Sequence, residues 1–126
     1  MLGDKDVHAV VAVKDLDAAK KFYSETLGLK LGDKNPAGVK CISGNQEIFI
    51  YQSEFAGTNK ATAVSWDVDD VEGTVNELKG KGVSFEHYDN LPGATLEGDV
   101  HVMGPMKAAW FKDPDGNILC VSNGAM

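Results

Sequence analysis

The tetrapeptide Val13-Lys14-Asp15-Leu16 returns 55 positions later as Val68-Asp69-Asp70-Val71, and Gly28-Leu29 returns 54 positions later as Gly82-Val83. This spacing is too long for the usual solenoid periods, and two copies do not make an array. It marks a duplicated module of roughly half a small domain. The change from 55 to 54 means that the second copy is one residue shorter within its helix.

Each copy reads as β-α-β-β-β. Residues 7–15 (VHAVVAVKD) form a short, β-branched, mostly apolar run, as expected of a strand covered on both faces. Asp15 then offers a helix N-cap, with Asp17 in the first turn to suit the dipole. Leu16, Ala19, Phe22, Tyr23 and Leu27 follow at helical spacing, and Gly28 ends the helix. Strands are predicted over 29–33, 39–42 and 47–52, the last two joined at Gly44-Asn45. In the second copy a strand over 61–71 runs into a helix striped by Val71, Val75 and Leu78. Strands over 83–88, 106–112 and 117–122 complete it, the last two joined by Asp-Pro-Asp-Gly. Segment 53–60 is the linker, and 89–105 is a long Gly- and Pro-bearing loop insertion. The expected organisation is one domain over 1–126, with module one at 5–53 and module two at 60–123.

A net charge of −7 argues against nucleic acid as a partner, because phosphate binding needs a basic face. It is compatible with a cationic ligand. The chain has no apolar run long enough to cross a membrane and no basic-then-apolar leader, so a cytoplasmic location is expected. Cys41 and Cys120 form no C-x-x-C motif and are expected to be buried free thiols.

Three stretches, H-x(4)-V-x-D-L at 8–16, FYSETLGLKL at 22–31 and FKDPDGNIL at 111–119, together with the repeat, resemble the vicinal-oxygen-chelate superfamily. That group includes glyoxalases, extradiol dioxygenases and bleomycin- and fosfomycin-resistance proteins. The resemblance implies an α+β fold: two tandem βαβββ modules, with curved mixed sheets around a cleft and helices outside. It also implies a homodimer. In metal-dependent members, four strand positions ligate a divalent ion. Carried onto this chain they fall on His8, Phe49, Ala63 and Cys120. Phe and Ala cannot ligate, so no metal or other cofactor is expected. Glu47, two residues before Phe49 on the same strand face, is the one spare carboxylate.

Strand parity places His8, Val10, Ala12, Glu47, Phe49, Tyr51, Ala63, Ser65, Asp67, Trp110 and Cys120 toward the cleft. His101, Met103 and Met106 border it from the insertion. Parity sends Val11, Val13, Ile48, Ile50, Val64, Trp66, Phe111, Leu119 and Val121 to the core, and His87 reads as surface. The function expected is that of a glyoxalase/bleomycin-resistance-like protein that binds a small hydrophobic or cationic molecule without metal chemistry. The alternative is a divergent glyoxalase-like metalloenzyme of lyase, isomerase or dioxygenase type, using His8 with Glu47 or Cys120. Asp113 and Asp115 read as turn formers, since Pro114 fixes φ and Gly116 supplies a positive one.

Overall fold

The computed structural model describes residues 1–124, so the last two residues of the expected domain lie outside the described residues. Module one runs β1 (Ala9–Val13), α1 (Leu16–Lys21), β2 (Lys30–Asn35), β3 (Gly38–Ser43) and β4 (Gln46–Gln52). Its strands form one mixed sheet in the order β1-β4-β3-β2, with β1 parallel to β4. Module two runs β5 (Thr62–Asp67), α2 (Val71–Gly80), β6 (Phe85–Glu86), β7 (Thr95–Glu97), β8 (Val100–Met103), β9 (Met106–Lys112) and β10 (Ile118–Ser122). Its sheet follows β5-β10-β9-β8-β7, and β6 takes the remaining edge of β9. The fold is therefore α+β, with two curved mixed sheets.

Local chemistry explains both helix starts. The Asp15 carboxylate accepts from Ala18 N at 3.1 Å, and the Asp70 carboxylate accepts from Gly73 N at 2.9 Å. Each satisfies an orphan donor of the first turn. The helices differ after that. α1 passes directly into a π-turn over Phe22–Thr26, in which Leu27 N reaches back to Phe22 O at 3.0 Å. A π-turn absorbs one extra residue without breaking the helix. It is the physical form of the residue by which the first copy exceeds the second.

Several expected bounds shift. The first strand begins at Ala9, so His8 stands just outside it. The strand expected over 83–88 shrinks to Phe85–Glu86. The insertion 89–105 is not a loop but carries the β7–β8 hairpin. β8 extends sheet two by pairing with the first half of β9, through His101–Ala108 and Met103–Met106.

One apolar cluster spans both modules. Val11, Val13, Ile48 and Ile50 meet Ala19 and Tyr23, and Val71, Val75 and Leu78 meet Phe111, Leu119 and Val121. Val64 and Trp66 pack at its margin, half-buried, and Trp66 Nε1 donates to Ser43 Oγ at 3.0 Å. Cys41 belongs to this cluster and Cys120 to a separate one, and both are free thiols.

The Asp-Pro-Asp-Gly turn does more than reverse the chain. Gly116, at φ +92°, closes it by donating to Asp113 O at 3.0 Å. The buried Asp113 carboxylate accepts four hydrogen bonds. Oδ1 takes Asp115 N at 3.0 Å and Asn117 N at 2.9 Å. Oδ2 takes Asn117 Nδ2 and the Tyr23 hydroxyl, each at 2.8 Å. Asn117 Nδ2 also reaches Ala12 O at 2.8 Å, and Asp115 Oδ1 accepts from Lys14 N at 3.1 Å. Gly57 of the linker backs so closely onto Asp115 O that a side chain there has no room. Burial, with the Asp113 carboxylate beside it, drives the Tyr23 phenol far above its ordinary range and keeps it protonated.

Asp113→Ala leaves four donors without their acceptor, Tyr23 Oη among them. The expected loss is about 3 kcal/mol of folding stability, read from urea denaturation, with a loss of about 1 kcal/mol for Tyr23→Phe. A loss for Asp113→Ala no larger than that of an ordinary surface turn would show that the clasp is not what joins the modules.

Candidate functional site

The inner face of sheet one is the surface opposite its core side. Val10 pairs with Phe49, Ala12 with Tyr51 and Lys40 with Phe49, so these side chains share that face. Val10 is 56% exposed, and Phe49 and Tyr51 are half-buried. Glu47 sits at one end, with Lys40 Nζ 3.9 Å from its carboxylate. Both side chains are well exposed, so this tether is weak. Beside this end runs a groove of about 700 Å³ between the modules. His8 and Glu47 line one wall, Ser65 and Asp67 the other, and Trp66 also borders it.

The inner face of sheet two is built differently. Trp110 pairs with Cys120 across β9 and β10, and His101 with Ala108 across β8 and β9. Parity thus holds: Trp110 lies opposite Phe111, which is in the core. The face is not open, however. Tyr88, Leu91, Met103 and Met106 pack over Ala108, Trp110, Ile118 and Cys120 as a second apolar cluster. Trp110 is 8% exposed and Cys120 fully buried. Trp110 Nε1 donates to Thr62 Oγ1 at 3.0 Å, and a bulge between Ile118 and Leu119 leaves Ala63 exposed and out of register. Burial raises the Cys120 thiol above its ordinary value, so it is protonated.

His101, expected at the border of a loop, is a strand residue with 1% exposure. Its Nε2 accepts from Tyr88 N at 2.9 Å. Its ring stands edge-on to Trp110 at 5.1 Å, and Tyr88 is edge-on to Trp110 at 5.5 Å. With Nε2 an acceptor, the proton lies on Nδ1, which has no hydrogen-bond partner among the described residues. Burial holds the imidazole below its ordinary pKa. His87, read as surface, is half-exposed and meets Asp99 at 2.7 Å.

The expected residues therefore fall into two groups. His8, Glu47 and Ser65 come together at the groove, next to the face of Phe49 and Tyr51. Trp110, Cys120, His101 and Met103 are gathered on sheet two under a cover of the chain's own making. Tyr88 and Leu91, which form that cover, carried no signal in the sequence beyond an aromatic beside the insertion. The four positions implied for a metal do not supply a metal site. His8 is exposed ahead of its strand, Phe49 and Ala63 have no donor, and Cys120 is a buried, protonated thiol. Among the described residues no three His, Cys, Asp or Glu side chains cluster as a cation would need.

These features, a duplicated βαβββ module whose two curved mixed sheets each have an inner face, define a protein of vicinal-oxygen-chelate architecture. The sequence model of the Glyoxalase/Bleomycin resistance protein/Dioxygenase superfamily matches residues 7–121, and the chain belongs to that superfamily. It is 28% identical to the virulence protein STM3117 of Salmonella typhimurium (strain LT2), over 97% of this chain and 85% of that protein. In structure it is similar to a glyoxalase family protein from Enterococcus faecalis, with TM-score 0.73 and 21% identity, over 97% of this chain and 99% of the other. It is also similar to TnmS3, an antibiotic binding protein from Streptomyces sp. CB03234, with TM-score 0.59 and 23% identity, over 93% and 95% of the two chains.

Both thiols are expected to be silent toward Ellman's reagent in the native protein. Burial pushes Cys41 up to about 11 and raises Cys120, and neither is accessible. Both should react at once in denaturant. Rapid native labelling of Cys120 would mean that sheet two's inner face is open.

Proposed function

We propose that this protein binds a small hydrophobic or cationic aromatic molecule, without a metal, against the inner face of sheet one. The observation that carries this reading is the shared face of exposed Val10 and half-buried Phe49 and Tyr51, with Glu47 at its end. Planar rings stack on such a surface, and a positive charge on the ligand gains from the ring faces and the Glu47 carboxylate. The weak Lys40–Glu47 tether gives way to such a charge at little cost. The likeness to an antibiotic binding protein supports a binding role. A homodimer belongs to this proposal, because a sheet face this apolar gains from a second wall. So do a cytoplasmic location and an absence of nucleic-acid partners, which the negative charge favours.

A second reading rests on one observation: His8 and Glu47 line the same groove. An imidazole and a carboxylate facing one cavity can serve as acid and base, or as two donors to an ion, in a divergent glyoxalase-like enzyme.

Intrinsic fluorescence and thermal shift against a panel of cationic and neutral aromatics test the first reading. Phe49→Ala and Tyr51→Ala should each weaken binding about tenfold, whereas Glu47→Gln should weaken only the cationic ligands. No ligand-dependent change across the panel would overturn it. Elemental analysis of protein purified without added metal separates the two readings. Stoichiometric Zn, Ni, Mn or Fe that is lost in His8→Ala would favour the enzyme.

A further inference from the structure

Sheet two's inner face is filled by the chain itself, whereas the corresponding face of sheet one is bare. The difference traces to the insertion. Module one has no counterpart of residues 87–99, and its Phe49 and Tyr51 remain partly exposed. In module two the segment after β6 folds back, and Tyr88 and Leu91 cover Trp110 and Cys120. The cover is fastened at two points. At its base His87 Nε2 and Lys79 Nζ both reach the Asp99 carboxylate at 2.7 Å, which pins the segment to α2. At its working end the fastening is one hydrogen bond, from Tyr88 N to the buried His101 Nε2.

We propose that segment 88–94 is a strap that occludes sheet two's inner face at neutral pH, and that protonation of His101 releases it. The geometry dictates the sign. Neutral His101 accepts the Tyr88 N–H through Nε2. Protonation makes both ring nitrogens donors, so N–H faces N–H and the fastening is lost. The imidazolium also sits in a site 1% exposed, where burial outweighs the help the Ala108 and Tyr88 backbone gives the charged ring. Swinging the strap away gives that charge water, which is the cheapest remedy for a buried ion. Burial of the ring in the closed state lowers the pKa of His101, as such coupling requires.

Of the groups that face His101, the Ala108 and Tyr88 backbone favours the charged ring, but burial outweighs it. The strap contributes His87 and Asp89, which line the same cavity of about 400 Å³. β7 contributes Leu96, opposite His101, and β9 contributes Ala108 and Trp110. Glu86, on β6 opposite Trp110, is paired with Lys112 at 3.2 Å. The Cys120 thiol on β10 is protonated. Acid does not readily unfasten the base, since the hydrogen bonds from Lys79 and His87 hold the Asp99 carboxyl below its ordinary range. The strap therefore opens about a fixed hinge and uncovers Trp110 and Cys120. That the uncovered face then joins ligand binding rests on the function proposed above. The occlusion itself does not.

The test is acrylamide quenching of Trp110 in a Trp66→Phe background, which leaves one tryptophan and needs no ligand. Quenching should rise about threefold from about pH 7.5 to about pH 5, with its midpoint below the ordinary histidine value of about 6.5, while far-UV circular dichroism holds steady. His101→Gln keeps an acceptor for Tyr88 N without titrating, so its quenching should stay low throughout. Tyr88→Ala should be strongly quenched at every pH. A flat profile in the parent, an acid rise retained in His101→Gln, or a protected Trp110 in Tyr88→Ala would each overturn the proposal. Should the His101 variant fail to fold, 15N shifts of the His101 ring and the Tyr88 amide in the parent decide instead. The two should titrate together, and an unmoved Tyr88 amide overturns the strap. Failure of ligand binding with the acid rise intact would refute only the binding function.

Discussion

Much of the fold hangs on the Asp113 carboxylate. β1 and β5 are edge strands of separate sheets, so among the described residues no strand ladder joins the two modules. Their junction is a shared apolar core, the Trp66–Ser43 hydrogen bond and the clasp around Asp113. A buried carboxylate is costly unless its lone pairs are filled, and here four donors fill them. The donors come from both modules, because the Tyr23 hydroxyl is delivered by the π-turn of module one. One extra helix residue and one acidic turn thus act on each other across 90 positions of chain.

Duplication produced two inner faces, and they have diverged in opposite directions. On sheet one the face is aromatic and uncovered. On sheet two a hairpin and the segment before it were inserted, and the face became a closed cluster around Trp110. The metal positions diverged along with them. A ligating residue must have a lone-pair donor aimed at the ion. Cys120 has a donor but sits in the cluster with its thiol protonated, and Phe49 and Ala63 have none. Family membership carries the architecture, and the chemistry depends on the residues at these positions.

The parts legible in sequence were those fixed by local periodicity and turn chemistry. Strand alternation separated Val11, Val13, Ile48 and Ile50 from Phe49 and Tyr51, and Phe111 from Trp110. The drop in repeat offset already marked the extra helix residue, though not the π-turn that houses it. What was illegible depends on partners distant in sequence. β8 (Val100–Met103) lies between glycines and has little strand signal of its own, and it exists because β9 offers it a free edge. The burial of His101 follows from that pairing. The clasp escaped because nothing near Asp113 announces that Tyr23 will arrive. The displacement of Ala63 arises from a bulge, which no alternation rule anticipates.

On the function proposed here, the two faces would make unequal demands on a ligand. Phe49 and Tyr51 have few rotatable bonds and are braced by Val10 and Ala12 across β1 and β4, so that wall selects for planar shape. Sheet two presents Met103 and Met106, unbranched thioethers that repack readily, beside a strap held by one hydrogen bond at its moving end. A rigid wall sets what fits, and an adaptable one sets how much variation is tolerated. Discrimination between ligands should therefore reside mainly in module one. Access and tolerance should reside in module two, where the insertion lies and where a single histidine governs whether the face is open.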